Sequence, residues 1–131
     1  MSHKTIYNPD THIIETRLTG TILAEEVVSI MRQAVKLAKK HDCYLWLNDF
    51  TDAVFEFSTF DIYSFPLKIR EITESLGENK YKVKRAVIAP VIDEEHKFAE
   101  LVSKNKGQQM KSFVKSSDAR DWLLGRDRPN S

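Results

Sequence analysis

The chain has 131 residues, the size of one domain, and its 41% hydrophobic and 30% charged residues exclude a disordered or low-complexity protein. A net charge of +1 gives no field to draw in nucleic acid or an anionic membrane surface, and no apolar run approaches the roughly 20 residues of a membrane span. The single cysteine, Cys43, excludes an internal disulfide and fits a reducing compartment.

Met1-Ser2-His3-Lys4 is polar with no apolar signal core, so the expected location is the cytoplasm. Thr5-Ile6-Tyr7 reads as a short strand. Asn8-Pro9-Asp10-Thr11 reads as a turn, in which proline presets one dihedral while Asn8 and Asp10 bond their own backbone. Over 12–19 the polarity alternates, with Ile14, Thr16 and Leu18 on one face and Glu15 and Arg17 on the other. That is a half-exposed strand closing an antiparallel hairpin, ended by Gly20. Helical spacing runs over 23–41, with Leu23, Val27, Met31, Ala34 and Ala38 on one stripe. Glu25 and Glu26 at its start and Lys39 and Lys40 at its end suit the helix dipole, and Thr21 is the expected cap.

Tyr44-Leu45-Trp46-Leu47-Asn48-Asp49 organises the chain. Four large apolar residues stop at a polar pair between two helical patterns, which predicts a central strand buried on both faces. Ligands and partners of open α/β sheets meet the protein at the carboxyl ends of strands, so a site is expected at 49–52 and in the segment after it. Residues 53–57 read as an apolar linker. Ser58 reads as a helix cap, with Asp61 completing a short capping box. Ile62, Phe65, Ile69, Ile72 and Leu76 keep helical spacing, with a kink or a division into two helices expected at Pro66 and a C-terminal cap at Gly77. A polar loop over 78–82 leads to a second buried strand over 83–89, closed by Pro90. A helix from Asp93 or Glu94 comes next, with Phe98, Leu101 and Val102 inward and Gly107 past its end. A last strand over 110–114 precedes a short helix capped by Ser116-Ser117 and stopped at Gly125, and 126–131 is expected to be a flexible tail. This β-β-α-β-α-β-α-β-α order predicts a single α/β domain over 1–125. Its sheet is mixed but mostly parallel, of about five strands with an N-terminal antiparallel hairpin, and about four helices pack on it.

Several residue groups could carry chemistry. Asp49 and Asp52 bracket the turn after the central strand and suit cation binding or acid–base work, or simply turn formation. His3, His12, His41 and His96 are scattered, and none pairs with another or with Cys43 at a metal-ligand spacing, so neither a metal nor a cofactor is expected. No nucleophile-elbow pattern is present. Five of the seven phenylalanines fall between 50 and 65. With Tyr63, the cluster Phe50, Phe55, Phe57, Phe60 and Phe65 reads as core packing, or as a hydrophobic interface or pocket. Lys80, Lys82, Lys84 and Arg85 alternate with apolar residues as a solvated strand edge or a phosphate patch. They lack the interleaved aromatics of a nucleic-acid surface.

Six segments carry a resemblance over nearly the whole chain. They are Leu18-Thr19-Gly20 before the long helix, and Leu45-Trp46-Leu47-Asn48-Asp49 followed by Phe57-Ser58-Thr59-Phe60-Asp61-Ile62-Tyr63. Lys84-Arg85-Ala86-Val87-Ile88 comes next, and residues 107–113 with Ala119-Arg120-Asp121-Trp122-Leu123 close the series. In that order the chain resembles the STAS domains, the SpoIIAA-like fold of anti-sigma-factor antagonists. More closely, it is similar to small stand-alone bacterial STAS-like proteins with a distant kinship to CRAL-TRIO lipid-binding domains. The resemblance implies a binding or regulatory module rather than an enzyme; the strand end and the aromatic cluster place the expected docking of a protein partner or a second copy around 52–65. It also implies a serine, at the start of the helix after the central strand, that a partner kinase phosphorylates in some members. Ser58 and Thr59 match that hydroxyl pair, while Phe57 stands where those members have an aspartate and Phe60 where they have a glycine. Two rivals stand beside it: a carrier holding a lipid or other apolar small molecule between the kinked helix and the sheet, and an enzyme using Asp49 or Asp52.

Overall fold

Turn chemistry sets the N-terminal edge. β1 (Ser2–Asn8) pairs antiparallel with β2 (Ile13–Leu23), Ser2 opposite Thr19 and Asn8 opposite Ile13. Between them Asp10 N–H donates to Asn8 Oδ1 (3.0 Å) and His12 N–H to the Asn8 carbonyl (2.9 Å), with His12 left-handed at φ 57°. This computed structural model describes residues 2–92, 94, 97, 100, 101, 104 and 109–126. After the hairpin come α1 (Ala24–His41), β3 (Leu45–Glu56), α2 (Thr59–Thr73), a 3-10 stretch (Glu74–Lys82), β4 (Lys84–Ile88), β5 (Gln109–Phe113) and α3 (Ser116–Leu123).

The five strands lie side by side in sequence order, and only β1–β2 is antiparallel. β3 is therefore the middle strand, and each of its faces meets a different core. On one face Ile14, Leu18, Ile22 and Trp46 pack against Ile30, Met31, Ala34 and Ala38 of α1 and Ile69 of α2. On the other, Ile13, Leu47, Ala86 and Ile88 pack against Ala119 and Leu123 of α3. Adjacent residues of a strand point to opposite faces, so Trp46 and Leu47 each fill one core, and this accounts for the near-continuous apolar run.

Several boundaries differ from expectation. β2 does not end at Gly20. The glycine takes φ 84°, a conformation costly for other residues, and the strand continues to Leu23. Thr21 therefore lies in a strand and caps nothing; Leu23 occupies the cap position, and its N–H donates to Glu26 Oε2 (3.0 Å). The expected linker 53–57 is mostly strand, since the longer β2 offers it a partner out to Glu56. α2 runs through Pro66 as one helix, so no division into two helices occurs there; the helical path breaks at Gly77 (φ 62°, ψ −136°). The stretch 78–82 is 3-10 helix rather than loop. Ser116 is the first residue of α3, with Lys115 at the cap position, and its hydroxyl accepts from Arg120 Nε (3.3 Å). Three α-helices are described over their length. Of the helix expected from Asp93 or Glu94 to Gly107, the described residues 94, 97, 100, 101 and 104 are helical, with Leu101 exposed rather than inward, and 127–131 lie outside the described residues.

Candidate functional site

β4 pairs with β3 only from Leu45 to Asp49, whereas β2 accompanies β3 to Glu56. Beyond Asp49, β2 and β3 therefore extend as a pair. Along them the register moves from Arg17–Asp49 to Thr19–Asp52, three steps on β3 against two on β2. This bulge changes the phase of the strand. Phe50 and Phe55 are five residues apart and would face opposite ways on a regular strand, yet both turn to the α1/α2 core. Their rings meet edge-on at 4.8 Å; Phe55 and Phe57 lie 4.7 Å apart, and Phe57 meets Phe65 of α2 edge-on at 4.7 Å. Such pairs contribute about 0.5–1.5 kcal/mol each beyond the area they bury. This ring chain fixes the start of α2 against the end of the central strand.

The aromatic cluster thus divides. Phe50, Phe55, Phe57 and Phe65 are packed, while Phe60 and Tyr63 are 74% and 57% exposed, joined by Leu67 at 45%. Positions 60, 63 and 67 share one side of a helix, so α2 carries apolar residues on both its core side and its outer side. At its start Ser58 Oγ accepts from Asp61 N–H (3.1 Å) and Asp61 Oδ2 accepts from Ser58 N–H (2.9 Å), a closed capping box. Thr59 is the first helical residue, and both hydroxyl residues are exposed.

Asp49 and Asp52 do not converge. Asp49 Oδ1 accepts from Thr51 N–H (3.0 Å) and from Thr51 Oγ1 (2.6 Å), while Asp52 forms an ion pair with Arg17 across the sheet. Each carboxylate is engaged at the bulge by its own partner. Among the described residues no three His, Cys, Asp or Glu side chains could hold a metal ion. Cys43 is buried and donates to the His12 carbonyl (3.2 Å), and burial pushes its thiol upward, the setting of an inert structural cysteine.

Within the basic run Lys84 and Arg85 are not on a sheet edge, because β4 lies between β3 and β5, while Lys82 is exposed in the 3-10 stretch. Lys80 Nζ donates to both oxygens of Glu74 (2.9 and 2.8 Å), and that bonding holds the Glu74 carboxyl down and the Lys80 ammonium up. Lys84 Nζ sits 4.3 Å over the Trp122 ring. Arg85 turns into the core and is 8% exposed. Sequence reasoning missed it; the available signal was a cation set among Ala86, Val87 and Ile88 in a strand that needed neighbours on both sides. An open groove of about 330 Å³ between α1 and α2 is bordered by Arg32, Val35, Glu71, Ile72 and Ser75. A small, partly open hollow of about 20 Å³ lies between α2 and the sheet, lined by Trp46, Ile69, Thr73, Arg85 and Gln109 among others.

No protein-family model and no curated protein matches this chain. In structure it is similar to an uncharacterized protein of the DUF3478 family with a SpoIIAA-like fold, from Shewanella loihica PV-4. The TM-score is 0.52 at 16% identity, over 93% of this chain and 92% of that one. At that identity the likeness speaks to the fold alone. The mixed five-stranded sheet, antiparallel only at its N-terminal edge, agrees with it: the chain has a SpoIIAA-like fold.

Proposed function

We propose that this protein is a non-enzymatic interaction module of the STAS-like kind, and that the outer side of α2 docks onto a second copy of the chain. One observation carries the reading: Phe60, Tyr63 and Leu67 are exposed together on a helix that begins where the central strand ends. Grouped exposed apolar side chains mark contact surfaces. A helix side packed on its own copy about a twofold axis is self-complementary, so one patch serves both partners. The packed ring chain beneath supports the idea, since a rigid support lowers the ordering cost of docking. The engagement of Asp49 and Asp52 with Thr51 and Arg17 supports a module without catalysis. Ser58 borders the patch, and a phosphate there would place roughly two negative charges beside Asp61 and Phe60 and oppose docking. A cytoplasmic location accords with this reading. The hollow between α2 and the sheet, about 20 Å³, holds about one water molecule, and this favours docking over a lipid carrier.

Light scattering over a concentration series tests the proposal. The wild type is expected to move from the 15.2 kDa monomer toward twice that mass, and Phe60→Asp to stay monomeric with an unchanged circular dichroism spectrum. A wild type that remains monomeric at every concentration overturns the second-copy reading. An organic-extractable ligand retained through purification would favour the carrier.

A further inference from the structure

We propose that Arg85 and Trp46 form a buried site for a single halide-sized anion. The two residues are direct neighbours across β3 and β4. Both lie on the α1/α2 side of the sheet, and both line the small hollow under α2. Arg85 is 8% exposed and Trp46 1%. The guanidinium offers five N–H donors. Among the described residues its polar contacts are two thioethers: Nη1 lies 3.7 Å from Met31 Sδ and Nη2 3.0 Å from Met110 Sδ. Sulfur is a weak acceptor and carries no charge. No carboxylate among the described residues pairs with Arg85. Burial lowers its pKa to about 10, which still leaves it cationic at neutral pH.

Trp46 adds a second unanswered donor, for its buried Nε1–H has no hydrogen-bond partner among the described residues. Buried polar groups are almost always satisfied, and an uncompensated buried cation is costlier still. The rest of the described lining supplies no negative charge. Thr73 donates its hydroxyl to the Arg70 carbonyl, Gln109 donates to the Tyr81 carbonyl, and the Lys80 ammonium is held by Glu74. A water molecule could accept from both donors but would leave the charge unbalanced; an anion answers both needs. A hollow this small, about 20 Å³ and open on one side, suits a monatomic anion better than the larger tetrahedral phosphate or sulfate ion.

The experiment is thermal unfolding of the full chain at fixed ionic strength, with sodium bromide replacing sodium gluconate. The wild-type Tm is expected to rise by about 3 °C and then level off as the site fills. Sodium phosphate at equal ionic strength is expected to give no such rise. Arg85→Met places a third apolar side chain beside Met31 and Met110, so the variant is expected to fold and to show no bromide response. A second readout does not depend on that variant. In Trp122→Phe the remaining tryptophan is Trp46, and bromide is expected to quench its emission saturably. A wild type indifferent to bromide, an equal response to phosphate, a response that survives Arg85→Met, or linear quenching of Trp46 each overturns the site.

Discussion

Ser58 shows how much one hydroxyl can settle at the start of a helix. It answers the Asp61 N–H while its own N–H is answered by Asp61, so two otherwise orphaned donors at the start of α2 are satisfied in the open, where packing contributes little. Ser58→Ala should cost about 1 kcal/mol and Thr59→Ala less than about 0.5, read from urea midpoints. Equal losses would mean that the cap does not hold the helix. Glu15 is the other residue whose partners are specific. Arg120 Nη2 donates to Oε1 (2.7 Å) and Asn8 Nδ2 to Oε2 (2.7 Å), joining α3 to β2 across 105 positions of sequence. The hydrogen bond from Arg120 holds the Glu15 carboxyl below its usual 4.5, outweighing the burial that would raise it. A carboxyl lowered by folding stabilises the native state fully above its unfolded pKa, and that contribution is lost as pH falls through the folded value. The pair is partly exposed, so its worth is about 1 kcal/mol at neutral pH. Arg120→Ala should lose that amount at pH 7 and differ less from wild type below pH 4. A gap between the two proteins that widens on acidification would contradict the assignment.

At the scale of elements, the phenylalanines of 50–65 separate by phase. Phe57 is wedged between Phe55 and Phe65, whereas Phe60 points outward from the next turn of chain. Phe57→Ala should therefore cost about 2–3 kcal/mol in urea unfolding and Phe60→Ala no more than about 0.5, although the two residues are three apart. Similar costs at both positions would put Phe60 in the core and remove the docking surface. The sequence shows some of this plainly. The stripe of Met31, Ala34 and Ala38, the two-sided run at Trp46 and Leu47, and the Ser58–Asp61 box each come from local spacing. The bulge at Asp49–Asp52 does not, because a strand's phase depends on the partner it pairs with, and β2 counts two where β3 counts three. The length of β3 was hidden for the same reason: Ala53 to Glu56 is strand only because Gly20 lets β2 continue to Leu23. Arg85 reads as a surface cation until α1 and β5 bring Met31 and Met110 against it.

For the whole molecule, sequential strand order makes stability uneven along β3. Its first part, Leu45 to Asp49, has β2 on one side and β4 on the other, with a helix-covered core on both faces. Its second part, paired with Gly20 to Leu23, has the β2 partner alone among the described pairings, and Thr51, Asp52, Val54 and Glu56 are exposed. Backbone hydrogen bonds open locally where few packed contacts hold them and only by global unfolding where the core closes over them. Hydrogen exchange should therefore find the 45–49 amides protected at the level of global stability and those of 52–56 exchanging at least about tenfold faster. The ring chain through Phe50, Phe55, Phe57 and Phe65 clips the weaker half to α2 on one face, so loosening there and loosening at the start of α2 should move together. If a second copy covers Phe60, Tyr63 and Leu67, raising the protein concentration should slow exchange over 52–67 while leaving 45–49 unchanged. Uniform protection along β3 would mean that its two halves open as one. Concentration-independent exchange over 52–67 would mean that nothing settles on that side of α2.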